Sequence, residues 1–171
     1  KYTASAPTVG FIGAGNYASR TLIPAFKMGG AILDTLVTSS GISGVHHGKK
    51  NGFRTTSTEI DDVLSNGQIN TIVIVTRHDA HANQVVSALN AGKNVIVEKP
   101  LALKLDELDL IDATYKNAQY SEPRKLMVGF NRRFAPHIIK MKELLNVHRT
   151  PKTIIMTINA GAIPAEHWVQ D

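Results

Sequence analysis

The 171-residue sequence contains no cysteine. Disulfide scaffolds, thiolate zinc sites, iron–sulfur clusters and cysteine nucleophiles are excluded together, and the fold must be held by packing alone. A reducing compartment is compatible with this, and the expected location is cytoplasmic. No stretch approaches the roughly 20 consecutive apolar residues of a membrane span. The opening Lys1-Tyr2-Thr3-Ala4-Ser5-Ala6-Pro7 has no apolar core of the kind a signal peptide needs, so no membrane partner is expected. A dense basic run is missing too: 19 Lys and Arg against 14 Asp and Glu leave a net charge of +5. That balance favours anionic small molecules over nucleic acid. The chain also lacks an initiator Met and ends at Gln170-Asp171 without a stop signal, so it is expected to be a piece of something longer. What is present, 43% hydrophobic and 19% charged residues, suits a globular chain of about one domain.

Short β-branched runs alternate with amphipathic stretches almost throughout. Thr8 to Ile12 predicts a buried strand that runs into Gly13-Ala14-Gly15 and a helix carrying Leu22, Ile23 and Phe26, with Pro24 positioned to kink it. Leu33 to Thr38 predicts a second strand, Gly41 to Gly52 a helix closed by glycine, and Phe53-Arg54-Thr55 a short third strand. Ser57 or Thr58 is expected to cap a helix around Ile60, Val63 and Leu64. Thr71 to Val75 is apolar on both faces, as a central parallel strand should be. Asp79 is expected to cap a helix with Ala82, Val85, Val86 and Leu89 on one face, ended by Gly92, before a strand at Asn94 to Val97. Leu105, Leu108, Ile111 and Tyr115 form the next helical face, and Leu126 to Gly129 a sixth strand. A helix opened by Pro136 follows, with Ile138, Met141 and Leu145 buried. Six β-α units predict an α/β fold with a doubly wound parallel sheet, helices on both faces. Thr153 to Ile158 predicts a seventh strand, the incomplete beginning of a second, α+β domain. The expected organisation is therefore one α/β domain over 1–150, which the motifs below make dinucleotide-binding, and the start of another over 151–171.

Gly13-Ala14-Gly15-Asn16-Tyr17-Ala18 matches the dinucleotide fingerprint G-x-G-x-x-A at the required junction of first strand and first helix. In that pattern Gly13 permits the tight turn, Gly15 lets a pyrophosphate approach the backbone, and Ala18 permits close helix packing. The helix dipole and free amides stabilise the phosphate charge. NAD-binding sheets usually place an acid at the end of strand two for the ribose hydroxyls, but here Thr38, Ser39 and Ser40 stand there. Asp34 lies too early and is expected to be structural or edge-exposed. His46, His47, Lys49 and Lys50 offer positive charge nearby or form a solvated face. The cofactor is therefore NAD or NADP, with a slight lean to NADP. Thr76-Arg77-His78-Asp79-Ala80-His81 follows the central strand at the carboxyl rim where open α/β sheets bind ligands. A third ligand to join His78 and His81 is not evident, so no metal is expected. Glu98-Lys99-Pro100 follows strand five on the same rim. Lys99 is a candidate to contact nicotinamide and a substrate hydroxyl, stiffened by Pro100, for whose peptide bond cis is an option. Asn131-Arg132-Arg133-Phe134 adds donors after strand six.

At these motifs the chain resembles the Gfo/Idh/MocA oxidoreductases. The glycine loop, the Thr76 to His81 turn, Glu98-Lys99-Pro100 and Gly129 to Phe134 stand in that family's order and spacing, and Asn159 to Trp168 resembles the opening strand and substrate loop of its second domain. The resemblance implies a Rossmann domain and NAD(P)-dependent hydride transfer at a secondary alcohol of a sugar, sugar acid or cyclitol. Lys99 would be catalytic, positioning and polarising the reacting hydroxyl. Gly13, Gly15, Asn16 and Tyr17 would hold the pyrophosphate, Ser39 the adenosine ribose, and Thr76, Arg77 and His81 the middle of the cofactor. Glu98 and Arg132 would stand on the nicotinamide or substrate side, with Ala18, Thr38 and Pro100 completing the cofactor set. Asn131, Arg132, His167 and Trp168 would contact a small polyhydroxylated substrate. The family's downstream Asp and His would lie beyond Asp171, so the expectation is an oxidoreductase, homo-oligomeric at full length, of which these 171 residues alone turn over little. The alternatives are a non-catalytic NAD(P)-sensing module and, last, a methyltransferase, which would want the strand-two acid and has no use for Lys99-Pro100.

Overall fold

A computed structural model of the chain describes residues 6–117, 124–147, 150–159 and 161–166. It divides into two compact units, residues 1–130 and 131–171.

The first unit is built on six parallel strands: β1 (Thr8–Ile12), β2 (Ile32–Val37), β3 (Thr55–Ser57), β4 (Thr71–Ile74), β5 (Asn94–Val97) and β6 (Leu126–Val128). They lie in the order β3-β2-β1-β4-β5-β6. The chain therefore starts in the middle, winds outward to one edge, returns, and winds to the other. This leaves a crevice at the carboxyl ends of β1 and β4, where the winding reverses. The helices are α1 (Ile23–Met28), α2 (Gly41–Asn51), α3 (Asp61–Leu64), α4 (His81–Asn90) and α5 (Leu105–Asn117).

Side-chain alternation along the strands separates two cores. Val9, Phe11 and Val73 join Ala18, Ile23, Leu33 and Leu36 on one face. Ile12, Ile72, Ile74, Val95 and Val97 join residues of α3, α4 and α5 on the other. Leu33 and Leu36 share a face although an odd number of residues apart, because the β1–β2 register slips between Val9 and Gly10. Asp34 sits at that slip. It is buried, and its Oδ1 accepts from Thr35 Oγ1 at 2.9 Å and Asn66 Nδ2 at 3.1 Å, with Arg54 Nη1 3.4 Å from Oδ2. Of the two places expected for Asp34, it takes the structural one.

Several local expectations are corrected. Phe53 does not open β3: its N–H is spent on the Gly48 carbonyl at 3.0 Å closing α2, and its ring packs edge-on against Phe11 at 5.7 Å. Neither Ser57 nor Thr58 caps α3; Ser57 Oγ accepts the Glu59 N–H at 2.9 Å in the turn before it. Asp79 does not cap α4, because a single 3-10 turn, His78–Ala80, intervenes. On α5 only Ile111 is buried, while Leu105, Leu108 and Tyr115 are exposed. Leu101 and Ala102, in the loop before it, take up the core space instead. Pro24 does disturb its helix: the preceding turn, Ala18–Leu22, widens so that the Ile23 N–H reaches the Ala18 carbonyl.

The second unit contains a 3-10 turn, Asn131–Phe134, and α6 (Pro136–Asn146). Ile138 and Leu145 are half-buried and Met141 is exposed, so the expected buried face is only partly realised. Residues 153–158 form no strand, and Ile154, Ile155, Met156 and Ile158 are exposed. A β-branched run is not enough for a strand; the ladder needs a neighbouring strand to pair with, and the described residues of this unit contain none. No helix among the described residues is long and apolar enough to cross a membrane.

Candidate cofactor site

The carboxyl rim of the first unit gathers the motif-bearing turns. After β1, Gly13 adopts φ +104°, a left-handed conformation that only glycine takes readily. Its N–H donates to the Val37 carbonyl at 2.8 Å, while the Val75 N–H donates to the Ile12 carbonyl at 2.8 Å. The loop is thereby wedged between the ends of β2 and β4. Gly15, Asn16 and Tyr17 are exposed beyond it, and a Cβ built on Gly15 would meet nothing within 4 Å. Helical backbone starts at Asn16 and runs through the Ala18–Leu22 turn into α1, and the N–H groups of a helix's first turn have no intrahelical acceptor. A left-handed glycine turn, an open glycine above it and a helix N-terminus at a topological switch point fit a dinucleotide pyrophosphate. Ala18 is fully buried in the core, so its contribution is helix packing and not contact with a ligand, which corrects its place in the binding set.

After β2, Thr38 is buried and its hydroxyl donates to the Ser40 carbonyl at 2.7 Å, shaping the turn in which Ser39 and Ser40 are exposed. Residues 38–40 carry no carboxylate of their own, and Asp34 is buried in the sheet on Thr35 and Asn66. His46, Lys49 and Lys50 are exposed on α2, and His47 is half-buried. Burial first, then His46 and Lys50, lowers the His47 pKa below the usual imidazole value.

After β4, the Thr76 hydroxyl donates to Gln84 Oε1 at 2.7 Å and Arg77 is exposed. His78 titrates low, chiefly through burial and then through the positive charges of Lys99 and His81, against a smaller opposing effect of Asp79. Lys99, exposed after β5, is thus an electrostatic neighbour of this turn. His81 is fully buried, with Nδ1 2.7 Å from the Pro100 carbonyl oxygen and Nε2 3.2 Å from that of Thr76. The expectation that it touches the cofactor is corrected: it lies beneath the rim with both nitrogens engaged by backbone. The Lys99–Pro100 peptide is cis.

Glu98 is held by its N–H to the Ile74 carbonyl at 3.0 Å, and its half-buried carboxylate lies over Gly129. A Cβ on Gly129 would come 2.5 Å from Glu98 Oε1. Gln84 is a participant that the sequence did not single out, and Gly129, read there only as a motif and strand-end residue, gains its contact with Glu98. Gln84 was legible as the polar residue one helical turn after His81; nothing in a strand-ending glycine announced the carboxylate above it. Asn131 and Arg132 are exposed in the 3-10 turn of the second unit. His167 and Trp168 lie outside the described residues. No three metal-ligating side chains come together among the described residues.

Fold and rim together define a dinucleotide-binding α/β domain. The family model described as the Gfo/Idh/MocA oxidoreductase family, NAD-binding Rossmann fold, matches residues 8–130, and the chain belongs to that family. Oxidoreductase P35 of Formosa agariphila is 30% identical over 138 residues, covering 80% of this chain and 42% of that protein. An inositol 2-dehydrogenase/D-chiro-inositol 3-dehydrogenase of Lactiplantibacillus plantarum is 33% identical over 103 residues, 60% of this chain and 28% of that one. Among solved structures, scyllo-inositol dehydrogenase of Lactobacillus casei superposes with a TM-score of 0.74 at 25% identity, covering 85% of this chain and 43% of that one. The chain spans less than half the length of these relatives.

Proposed function

We propose that the chain is the cofactor-binding half of an NAD(P)-dependent dehydrogenase acting on a secondary alcohol of a small polyhydroxylated compound, a sugar, sugar acid or cyclitol. The observation that carries this reading is the position of Lys99 on the same carboxyl rim as the Gly13 to Tyr17 loop, close enough to the Thr76 to His81 turn to perturb His78. The inositol dehydrogenases among the relatives support the substrate class.

Oxidation of a secondary alcohol takes a hydride from carbon and a proton from oxygen. A bound nicotinamide supplies the hydride acceptor, or the donor in reverse. Gly13, Gly15, Asn16 and Tyr17 hold the pyrophosphate through backbone donors and the helix dipole, Ser39 the adenosine ribose, and Thr76 and Arg77 the middle of the cofactor. The Lys99 ammonium hydrogen-bonds the reacting oxygen and offsets the negative charge that grows there as the proton departs. Glu98, Asn131, Arg132, His167 and Trp168 contribute to the substrate side. Proton transfer needs a group within hydrogen-bond reach, and Lys99 is a poor substitute for a dedicated acid-base set, so these 171 residues alone turn over little. A neutral end to β2, with Asp34 withdrawn into the sheet, tolerates a 2′-phosphate and supports the lean to NADP.

Calorimetric titration with NAD, NADP and S-adenosylmethionine tests the cofactor, and reduction of the bound dinucleotide by a panel of cyclitols and hexoses tests the full-length protein. Dinucleotide binding and polyol-dependent reduction are expected. Binding of S-adenosylmethionine without either dinucleotide overturns the reading; dinucleotide binding with no polyol oxidation favours an NAD(P)-sensing module.

A further inference from the structure

His81 stands apart from the other motif residues because it is fully buried and both of its ring nitrogens face backbone carbonyl oxygens. Carbonyl oxygens only accept. A neutral imidazole has one proton to donate, and the shorter contact, 2.7 Å from Nδ1 to Pro100, is the one that takes it. The two carbonyls belong to different rim turns, Thr76 after β4 and Pro100 after β5. Pro100 directly follows Lys99, and Thr76 directly precedes Arg77. The imidazole N–H thus gives the Pro100 carbonyl oxygen a buried side-chain donor.

We infer that His81 is a positioning residue: by donating its Nδ1–H to the Pro100 carbonyl beneath the rim it fixes the Lys99–Pro100 backbone, and through it the direction in which the Lys99 ammonium points. The inference rests on the reading of Lys99 as the group that meets the reacting hydroxyl. It assigns His81 no contact with cofactor or substrate. Its effect therefore belongs to the chemical step and not to dinucleotide affinity, because a small misplacement of a reacting group costs rate steeply while the pyrophosphate loop after β1 is untouched.

Three variants of the full-length protein separate the possibilities, with myo-inositol first among a panel of cyclitols and hexoses as the oxidisable probe. Asn places an amide N–H where Nδ1 was, and Gln places one where Nε2 was. His81→Gln, which leaves the Pro100 carbonyl unpaired, is expected to lower kcat by about ten- to a hundredfold while dinucleotide Kd and polyol KM change by less than about threefold. His81→Asn, which restores the donor to Pro100, is expected to recover most of that loss even if it melts no higher than His81→Gln. Recovery by Asn and not by Gln is a signature that general loss of stability would not produce. Equal kcat in wild type and both variants overturns the inference, as does a loss tracking dinucleotide affinity. Lys99→Met keeps the two failures distinct: if Lys99→Met retains full turnover, or if the wild type oxidises no polyol, the proposed function fails and the inference falls with it. If Lys99→Met is inactive and His81→Gln is not, only the inference fails. Should the variants not fold, long-range ¹H–¹⁵N spectra of the wild-type imidazole decide, with a proton on Nδ1 expected and a ring protonated only on Nε2 overturning the inference.

Discussion

Gly13 and Val75 approach so closely where β1 and β4 end that a methyl group on Gly13 would lie 2.8 Å from the Val75 carbonyl carbon. The backbone at Gly13 is also left-handed, at φ +104°. Both facts oppose any side chain. Gly13→Ala is expected to cost on the order of 2 kcal/mol or more in folding stability, from backbone strain and displacement of the β4 terminus. Denaturant unfolding checks it; an unchanged midpoint would show that the wedge is not rigid.

Gly15 is the opposite case two residues later. With nothing within 4 Å of its virtual Cβ, Gly15→Val is expected to fold and melt within a few degrees of the wild type while losing dinucleotide binding, because the branched side chain occupies the space through which a pyrophosphate approaches. Calorimetry beside a thermal melt reads both. Loss of binding together with loss of the fold would instead place the glycine requirement in the scaffold.

Lys99 and His78 are coupled through space, Lys99 being the second cause, after burial, of the lowered imidazole pKa. Removing the positive charge in Lys99→Ala is expected to raise the His78 pKa part of the way towards its ordinary value, as followed by the NMR titration of its ring protons. Dinucleotide affinity should be largely retained and activity of the full-length protein removed. An equal loss of binding would make Lys99 a cofactor anchor.

His47 carries a pH dependence of known sign. Its folded-state pKa lies below the ordinary histidine value of about 6.5, so between the two values the unfolded chain binds more protons and stability falls as pH falls. The loss begins as pH drops through about 6.5 and levels off below the folded-state pKa. The buried Nδ1 has no hydrogen-bond partner, so a neutral substitute sacrifices no bond there. His47→Gln is expected to flatten this part of the melting-temperature profile between neutral and mildly acidic buffers; an unchanged slope would assign it to other groups.

The parallel sheet was legible because its strands are short, β-branched and bounded by glycine, and the pattern holds for β1, β4 and β5 to within a residue. The rim turns were legible for the same reason, since a ligand edge must follow each strand. Legibility ended where a residue's role depended on a neighbour distant in sequence. Phe53 reads as a strand residue until the close of α2 claims its N–H, and Leu105 and Leu108 read as core until Leu101 and Ala102 fill the space.

Periodicity and the order of the chemistry are properties of the residues alone: six strand-helix units, a glycine loop after the first strand, and Lys99 after the fifth, each set by local backbone preference and side-chain alternation. Tertiary structure alone decided which of those residues face outward. His81 and Lys99 belong to motifs of equal prominence, yet one lies buried between two carbonyls and the other stands exposed on the rim. That difference arises from the pairing of β4 with β5, which brings residues 76 and 100 within reach of a single imidazole.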